Sequence, residues 1–153
     1  MRWVCRLWSC LRISETSFRC AGPRVSSEAF ERGEEMMRLV DGDKVTDHLL
    51  ARYKDIAPDF ARYLVEFVFG EIYARPGDLK QRELIAISSL ATMGGCDPQL
   101  ETHVNGAFNV GLTEAEIVEA VMTLVPYIGF PKALVAMRIV KRVADARSAG
   151  RGL

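Results

Sequence analysis

Apolar residues recur every three or four positions along most of this chain, the spacing of α-helices that each bury one face. We find no convincing β-strand and no internal repeat. Glycine and proline clusters divide the pattern into segments at Asp41-Gly42-Asp43, Pro76-Gly77, Gly94-Gly95 and Gly129-Phe130-Pro131. The sequence therefore predicts an all-α fold of about six to seven helices.

The first of two central helices is predicted to begin at Asp78, whose carboxylate can cap free backbone N–H groups, and to end at Gly94-Gly95. Its apolar stripe contains one acid, Glu83, among Leu79, Ala86, Ile87 and Leu90. Side chains at this spacing share one helix face, so the carboxylate is expected to lose contact with water.

The second central helix is predicted to have Asp97 as its N-cap and Pro98 as its first residue, and to stop at Gly111. His103 lies on its apolar face, which also contains Leu100, Val104, Ala107 and Phe108. We expect His103 to be at least half buried. A lone histidine in such a place is most often a hydrogen-bonded core residue, but the acid on the preceding helix favours a chemical role. His48, in contrast, is predicted to lie on the surface.

One further helix, from Phe60 to Ala74 with Asp59 as its cap, has apolar residues around nearly its whole circumference. A helix of this composition is buried all round. Because the core of a chain this short cannot enclose it, we expect a second subunit to cover one side.

The two central helices also resemble a known family. The run RELIAISSLATMGGCDPQLETHVNGAFNVGLTEAEIVEA, followed by YIGFPKA, is similar to the carboxymuconolactone decarboxylase family, a branch of the alkylhydroperoxidase D-like superfamily. The resemblance covers roughly residues 27–146. It implies an alkylhydroperoxidase D-like helical domain, a homotrimer or homohexamer, and a working histidine at His103. Glu83 matches the family's glutamate.

Composition is consistent with one globular domain and sets the first 24 residues apart. The 153 residues contain 20 Lys and Arg against 20 Asp and Glu, so no charge excess suggests nucleic acid as a partner. Residues 1–24 hold five arginines and one acid, and three of the four cysteines. We interpret this segment as disordered or not translated in nature, and residues 25–153 as the domain. An amphipathic targeting or membrane-surface helix is the alternative.

The cysteines also bear on location and cofactors. Cys96 is the one cysteine of the predicted domain, so no disulfide can form within it, and we expect a reduced, cytoplasmic protein. No apolar run in the N-terminal segment is long enough to span a membrane. With two distant histidines and no Cys-x-x-Cys, the sequence predicts no metal site, and no motif indicates a cofactor.

The resemblance leaves two enzymatic mechanisms open. Peroxidase members of the superfamily carry Cys-x-x-Cys just before the histidine, and one thiolate attacks the peroxide while the other resolves the product. Here the motif reads Cys96-Asp97-Pro98-Gln99, so the second thiol is absent. Cys96 is therefore kept only as the thiol of an alternative, one-cysteine peroxidase, because a small residue at a helix junction is more often structural.

The decarboxylase reaction needs no thiol. Loss of CO₂ from a 4-carboxymuconolactone-like lactone acid leaves a dienolate, which His103 could stabilise at its oxygen while Glu83 orients the imidazole or transfers the proton. Arg82 and Lys80 are the candidates for binding the substrate carboxylates. The predicted partners are thus a small organic acid or lactone and further copies of the chain. A third hypothesis is a non-catalytic oligomeric binding protein in which Glu83 and His103 only satisfy each other.

Overall fold

The computed structural model describes residues 27–150, so the predictions for residues 1–24 lie outside the described part of the chain. Residues 27–150 form six α-helices and one π-helix, without a strand, which confirms the all-α prediction. The elements are α1 (Glu28–Asp41), α2 (Asp43–Tyr53), α3 (Pro58–Tyr63), the π-helix (Leu64–Tyr73), α4 (Leu79–Met93), α5 (Asp97–Asn109) and α6 (Glu114–Ser148).

The N-termini of three helices carry side-chain caps. The hydroxyl of Ser27 accepts a hydrogen bond from the backbone N–H of Phe30 at the start of α1. Asp78 caps α4 as predicted, accepting from the N–H of Lys80 at 2.9 Å. Thr113 and Glu116 form a capping box at the start of α6. Each cap satisfies backbone donors that have no partner within the helix, and so fixes where the helix begins.

Two predicted caps were wrong. The N-cap of α5 is Cys96 rather than Asp97, because the carbonyl of Cys96 accepts the first helical hydrogen bond, from Leu100 N–H at 2.9 Å. The N-cap of α3 is Ala57 rather than Asp59, because Pro58 opens this helix. The fixed φ of proline suits the first turn of a helix, and Pro58 starts α3 two residues before the predicted Phe60. In α5, Pro98 is the second residue rather than the first.

The π-helix packs closely against α1. Gly33 of α1 and Gly70 of the π-helix face each other's backbones: a Cβ at Gly33 would collide with the carbonyl of Val65, and one at Gly70 with that of Ala29. Arg32 also donates from Nε to the carbonyl of Gly70, at 2.9 Å. Because Gly33 and Gly70 have no side chains, the backbones of α1 and the π-helix can pack in direct contact. This contact fixes the position of the π-helix beside α1.

The core has two parts. One lies between α4, α5 and the buried face of α6, and contains Ile87, Val104, Ile117, Val121 and Ile139. The other lies between α1 and the π-helix, and contains Met37, Val40, Val65, Phe69 and Tyr73. Because α5 also contacts α1, the two parts adjoin along the faces of α4 and α5 that carry the predicted site residues.

Helix α6 bends at Gly129, where φ is 74°. The sequence predicted a corner at this place and a separate last helix from Pro131, and the two halves of α6 correspond to that prediction. Among the described helices, α6 alone is long and apolar enough to cross a membrane by length and composition. In the single chain, 17% of the most apolar part of this helix is buried, and Ile139, Val140 and Val143 of its second half pack in the core.

The apolar segment Pro58–Tyr73 is not buried all round in the single chain. Val65, Phe69 and Tyr73 face the core, whereas Phe60 and Phe67 are 56% and 63% exposed. The predicted burial on every side is thus not met by one copy of the chain. The expectation that another subunit covers the remaining side stays a prediction.

Candidate active site

Glu83 is placed on α4 with no exposed surface at all. It lies one turn before Ile87 on the face of α4 that packs into the core. Gly106 of α5 lies opposite and leaves room for the carboxylate, since a Cβ at that glycine would come within 3.1 Å of Oε2 of Glu83 and 3.3 Å of the carbonyl of Val40. The predicted burial of Glu83 is therefore confirmed, and its carboxylate lies near the end of α1.

Both oxygens of the buried carboxylate have a hydrogen-bond partner. The hydroxyl of Tyr73, at the end of the π-helix, lies 2.8 Å from Oε1 of Glu83. Nδ1 of His103 on α5 lies 3.0 Å from Oε2. By helical rise alone the two groups lie at different heights, which predicts a meeting through water or across a subunit boundary; the structure instead shows direct contact within one chain.

The contact with Glu83 determines how the imidazole is used. An ionised carboxylate only accepts hydrogen bonds, so Nδ1 of His103 carries a proton and donates a hydrogen bond to Oε2. Burial alone lowers the pKa of His103, but the hydrogen bond and charge of Glu83, with the charge of Asp41, outweigh burial and raise it above its usual value. The side chain remains 26% exposed, and no residue of the described range 27–150 forms a hydrogen bond with its other nitrogen, Nε2.

Sequence reasoning missed two members of this cluster. Tyr73 was assigned only to the apolar helix, although a buried tyrosine usually needs a partner for its hydroxyl. Burial, together with the charge and hydrogen bond of Glu83, raises the pKa of Tyr73, so its hydroxyl stays protonated and donates. Asp41 was read only as part of a helix stop. It is 4% exposed, and it interacts electrostatically with both Glu83 and His103.

The two predicted substrate-binding cations, Arg82 and Lys80, make no ion pair with Glu83 or Asp41 within residues 27–150. Arg82 donates from its guanidinium to the carbonyl of Arg75 at 2.9 Å, and lies above the ring of Tyr73, 5.9 Å from its centroid. It thus braces the turn between the π-helix and α4. Lys80 lies beside Gly111 and interacts with Glu116 at the start of α6. Contact of either side chain with a substrate stays a prediction.

Cys96 lies apart from the Glu83 and His103 pair. It lines a cavity of about 470 Å³ between the α4–α5 turn and the second half of α6, together with Leu90, Leu100, Lys132 and Val135. Neither Glu83 nor His103 lines this cavity. Seven residues of helix, roughly 10 Å, separate Cys96 from His103. The thiol and the imidazole therefore belong to different surroundings in the single chain.

The groups of the cluster are hydrogen-bonded to one another. Among the described residues, no set of three or more His, Cys, Asp or Glu side chains is placed to hold a metal ion. The carboxylate of Glu83 is occupied by a tyrosine hydroxyl and an imidazole. Fold and site together define a small all-helical protein with an acid–base pair in its core.

Comparison with known proteins gives the family. The model of the carboxymuconolactone decarboxylase family matches residues 58–142, which is more than half of the chain and includes Tyr73, Glu83 and His103. The chain belongs to the carboxymuconolactone decarboxylase family. The resemblance inferred from the motifs is thereby confirmed.

Two curated relatives are both decarboxylases. The 4-carboxymuconolactone decarboxylase of Acinetobacter baylyi is 30% identical over 117 residues, 76% of this chain and 87% of the relative. The nitrosuccinic acid decarboxylase of Metarhizium robertsii is 29% identical over 117 residues, 76% of this chain and 81% of the relative. Both relatives support a function as a carboxy-lyase at the level of the family.

Proposed function

We propose that this protein is a cofactor-independent decarboxylase of a small lactone acid resembling 4-carboxymuconolactone, with His103 as the group that stabilises and protonates the dienolate. The observation that carries the proposal is the 3.0 Å contact between Nδ1 of His103 and Glu83, whose other oxygen accepts from Tyr73. This arrangement holds one imidazole nitrogen inside the core and leaves the other available.

The proposed decarboxylation requires a group that is positively charged and can give up a proton. When the bond to the leaving carboxylate breaks, its electron pair moves through the alkene to the lactone carbonyl, and CO₂ departs. A charged His103 offers Nε2–H to the negative oxygen, or gives that proton to carbon to form the new C–H bond. Glu83 supports this role because it favours the charged imidazole. One proton from solvent replaces the proton used.

The names of the two relatives narrow the class of substrate. One relative is named for a lactone acid and the other for a nitro acid. Loss of CO₂ from either acid can leave an anion whose charge moves to oxygen, in a carbonyl or in a nitro group. We therefore expect a substrate in which such an electron-accepting group can take up the charge of the departing carboxylate. The single charged donor of the site is suited to either kind of oxygen anion.

The decisive experiment is a substrate assay on the purified protein. It should be incubated with 4-carboxymuconolactone, nitrosuccinic acid and a simple 2-oxo acid, and the release of CO₂ followed together with loss of each substrate. Turnover of one of the first two acids, without added metal or cofactor, is the expected result. Alkyl hydroperoxides should be tested in parallel. Peroxide turnover that depends on Cys96, without release of CO₂ from any acid, would reverse the assignment.

We also propose that the protein works as a homotrimer or homohexamer. The apolar side chains of Phe60, Tyr63 and Phe67 form an exposed surface on one side of the segment Pro58–Tyr73, and α6 exposes Tyr127, Phe130 and Leu134. Apolar surface of this extent is typical of an association site. The segment carries Tyr73 at its end, so a neighbouring subunit would support the element that holds Glu83.

A further inference from the structure

The buried cluster contains more acid than base. Glu83 and Asp41 are both nearly or fully buried, and His103 is the one group in contact with either that can carry a positive charge. Within residues 27–150, no lysine or arginine forms an ion pair with Glu83 or Asp41, and the nearby Arg82 is bonded to the backbone of its own turn. One imidazolium balances one carboxylate. The second carboxyl group therefore has no counterion.

The position of Asp41 makes an ionised side chain unfavourable. It is the last residue of α1, where the aligned peptide dipoles place partial negative charge. Its Oδ1 is buried and has no hydrogen-bond partner among the described residues. Burial and the charge of Glu83 raise the pKa of Asp41 to about 7, against an opposing effect of His103. Near neutral pH the carboxyl group thus changes charge within electrostatic reach of the imidazole.

We propose that Asp41 is a positioning residue of this site, whose buried carboxylate at the end of α1 holds His103 in the charged, proton-donating form. Asp41 acts through the imidazole and needs no contact with the substrate. It extends toward higher pH the range in which Nε2 of His103 carries its proton. The predicted effect of Asp41 on the pH dependence of turnover rests on the proposed decarboxylase function. The electrostatic coupling between Asp41 and His103 does not depend on that function.

The other groups around Asp41 are accounted for. Tyr73 of the π-helix and Glu83 of α4 interact with it electrostatically, and His103 does so from α5. On its own helix, Arg38 is turned away toward Glu34, Asp43 and Asp47. Of these neighbours, the tyrosine stays neutral and the arginine stays charged over the neutral range. His103 is thus the neighbour whose positive charge can balance the negative charge of Asp41.

The direct test follows the imidazole of His103 by NMR. The chain has two histidines, so His48→Gln, at an exposed position, leaves His103 as the one imidazole signal. In this background, Asp41→Asn removes the charge with little change in shape. The pH at which His103 loses its proton should fall by at least about one unit, the effect of one charge within roughly 12 Å at an effective dielectric constant of about 20. Asp43→Asn, an exposed acid two residues later, is the matched control and should change it little.

A second measurement covers the case in which Asp41→Asn does not fold. In the His48→Gln protein with Asp41 intact, coupled groups titrate in two steps, so the imidazole signal should show a second inflection from Asp41. A single-step curve there, or an unchanged midpoint in folded Asp41→Asn, would overturn the proposal. Neither measurement needs a substrate.

Kinetics then test the consequence for turnover. If an acid is decarboxylated, the fall in kcat/KM at high pH should begin about one unit lower in Asp41→Asn than in the parent protein, with activity at lower pH preserved. An equal loss at every pH would indicate a structural role only. Absence of turnover would defeat the proposed function, and the NMR titration would still decide the role of Asp41.

Discussion

The hydroxyl of Tyr73 lies 2.8 Å from the carboxylate of Glu83, and this hydrogen bond joins the end of the π-helix to the centre of the site. The bond crosses only ten residues of sequence, but it depends on the turn between the two helices, which Arg82 braces through the carbonyl of Arg75. The phenol is thus held on the side of the carboxylate away from His103.

Tyr73→Phe should destabilise the protein and weaken catalysis. Without the hydroxyl, Oε1 of the buried Glu83 has lost its donor, and an unsatisfied buried group costs about 1–3 kcal/mol. Urea denaturation at neutral pH should show a loss of this size. Tyr127→Phe removes a hydroxyl from a side chain that is 83% exposed and serves as the control. Equal stability of the two variants would contradict the importance of the bond.

Replacement of His103 should separate the two enzymatic mechanisms. His103→Ala removes the one proposed donor to the dienolate oxygen, so decarboxylation should slow by roughly 10²- to 10³-fold. Cys96→Ser should change it little, because Cys96 lies in a separate cavity, and His48→Ala is a control at an exposed histidine. Steady-state rates on the acid identified as substrate provide the measurement. Activity that survives loss of His103 but not of Cys96 would favour a thiol peroxidase.

Asp41 should also make stability depend on pH. Its pKa rises from 3.8 to about 7 on folding, so its contribution to stability is fully present below pH 3.8 and is lost as the pH rises through 7. The full shift corresponds to roughly 4 kcal/mol. Asp41→Asn lacks this loss, so its free energy of unfolding relative to wild type should improve between pH 4.5 and 7.5. Asp43→Asn should show no such trend, and a parallel pH dependence of Asp41→Asn and wild type would refute the prediction.

Self-association should depend on the exposed side of the Pro58–Tyr73 segment. Phe67→Glu places a charge where the side chain is 63% exposed, so the helical fold should persist while the oligomer dissociates. Phe67→Leu keeps an apolar side chain and should preserve association, whereas Phe69→Glu changes the core and should unfold the chain. Sedimentation velocity and circular dichroism measure the two outcomes. Wild-type protein that is monomeric at micromolar concentration would rule out the proposal.

The sequence predicted burial correctly wherever the position of a residue on one helix face determines it. Glu83 and His103 could be placed in apolar stripes because helical spacing determines which side chains share a face. The cap at Asp78 could be predicted because it depends on a local hydrogen bond. The cap of α5 was mispredicted because Asp97 and Cys96 differ by one residue, and the register of the first turn decides between them.

The remaining members of the site depend on contacts between distant segments. Asp41 enters the cluster because the end of α1 packs beside Gly106 of α5, which no local pattern reveals. The sequence did contain one indication. Asp41 precedes a glycine that ends a helix, and negative charge is unfavourable at a helix C-terminus. Arg82 was proposed as a substrate ligand for its place beside Glu83; its hydrogen bond to the carbonyl of Arg75 depends on the turn before α4, and its contact with a substrate stays a prediction.

The four side chains of the cluster come from four separate elements: α1, the π-helix, α4 and α5. None of these elements holds two of the groups, so no partly folded fragment of the chain can retain a weakened version of the site. Displacement of any one of these elements should therefore abolish turnover, so on heating or in urea turnover should be lost before the helical signal or together with it, and never after it. In a helical protein most contacts are local, so the helical signal says little about contacts between distant segments. Enzymatic activity, in contrast, requires those contacts and therefore measures whether they have formed.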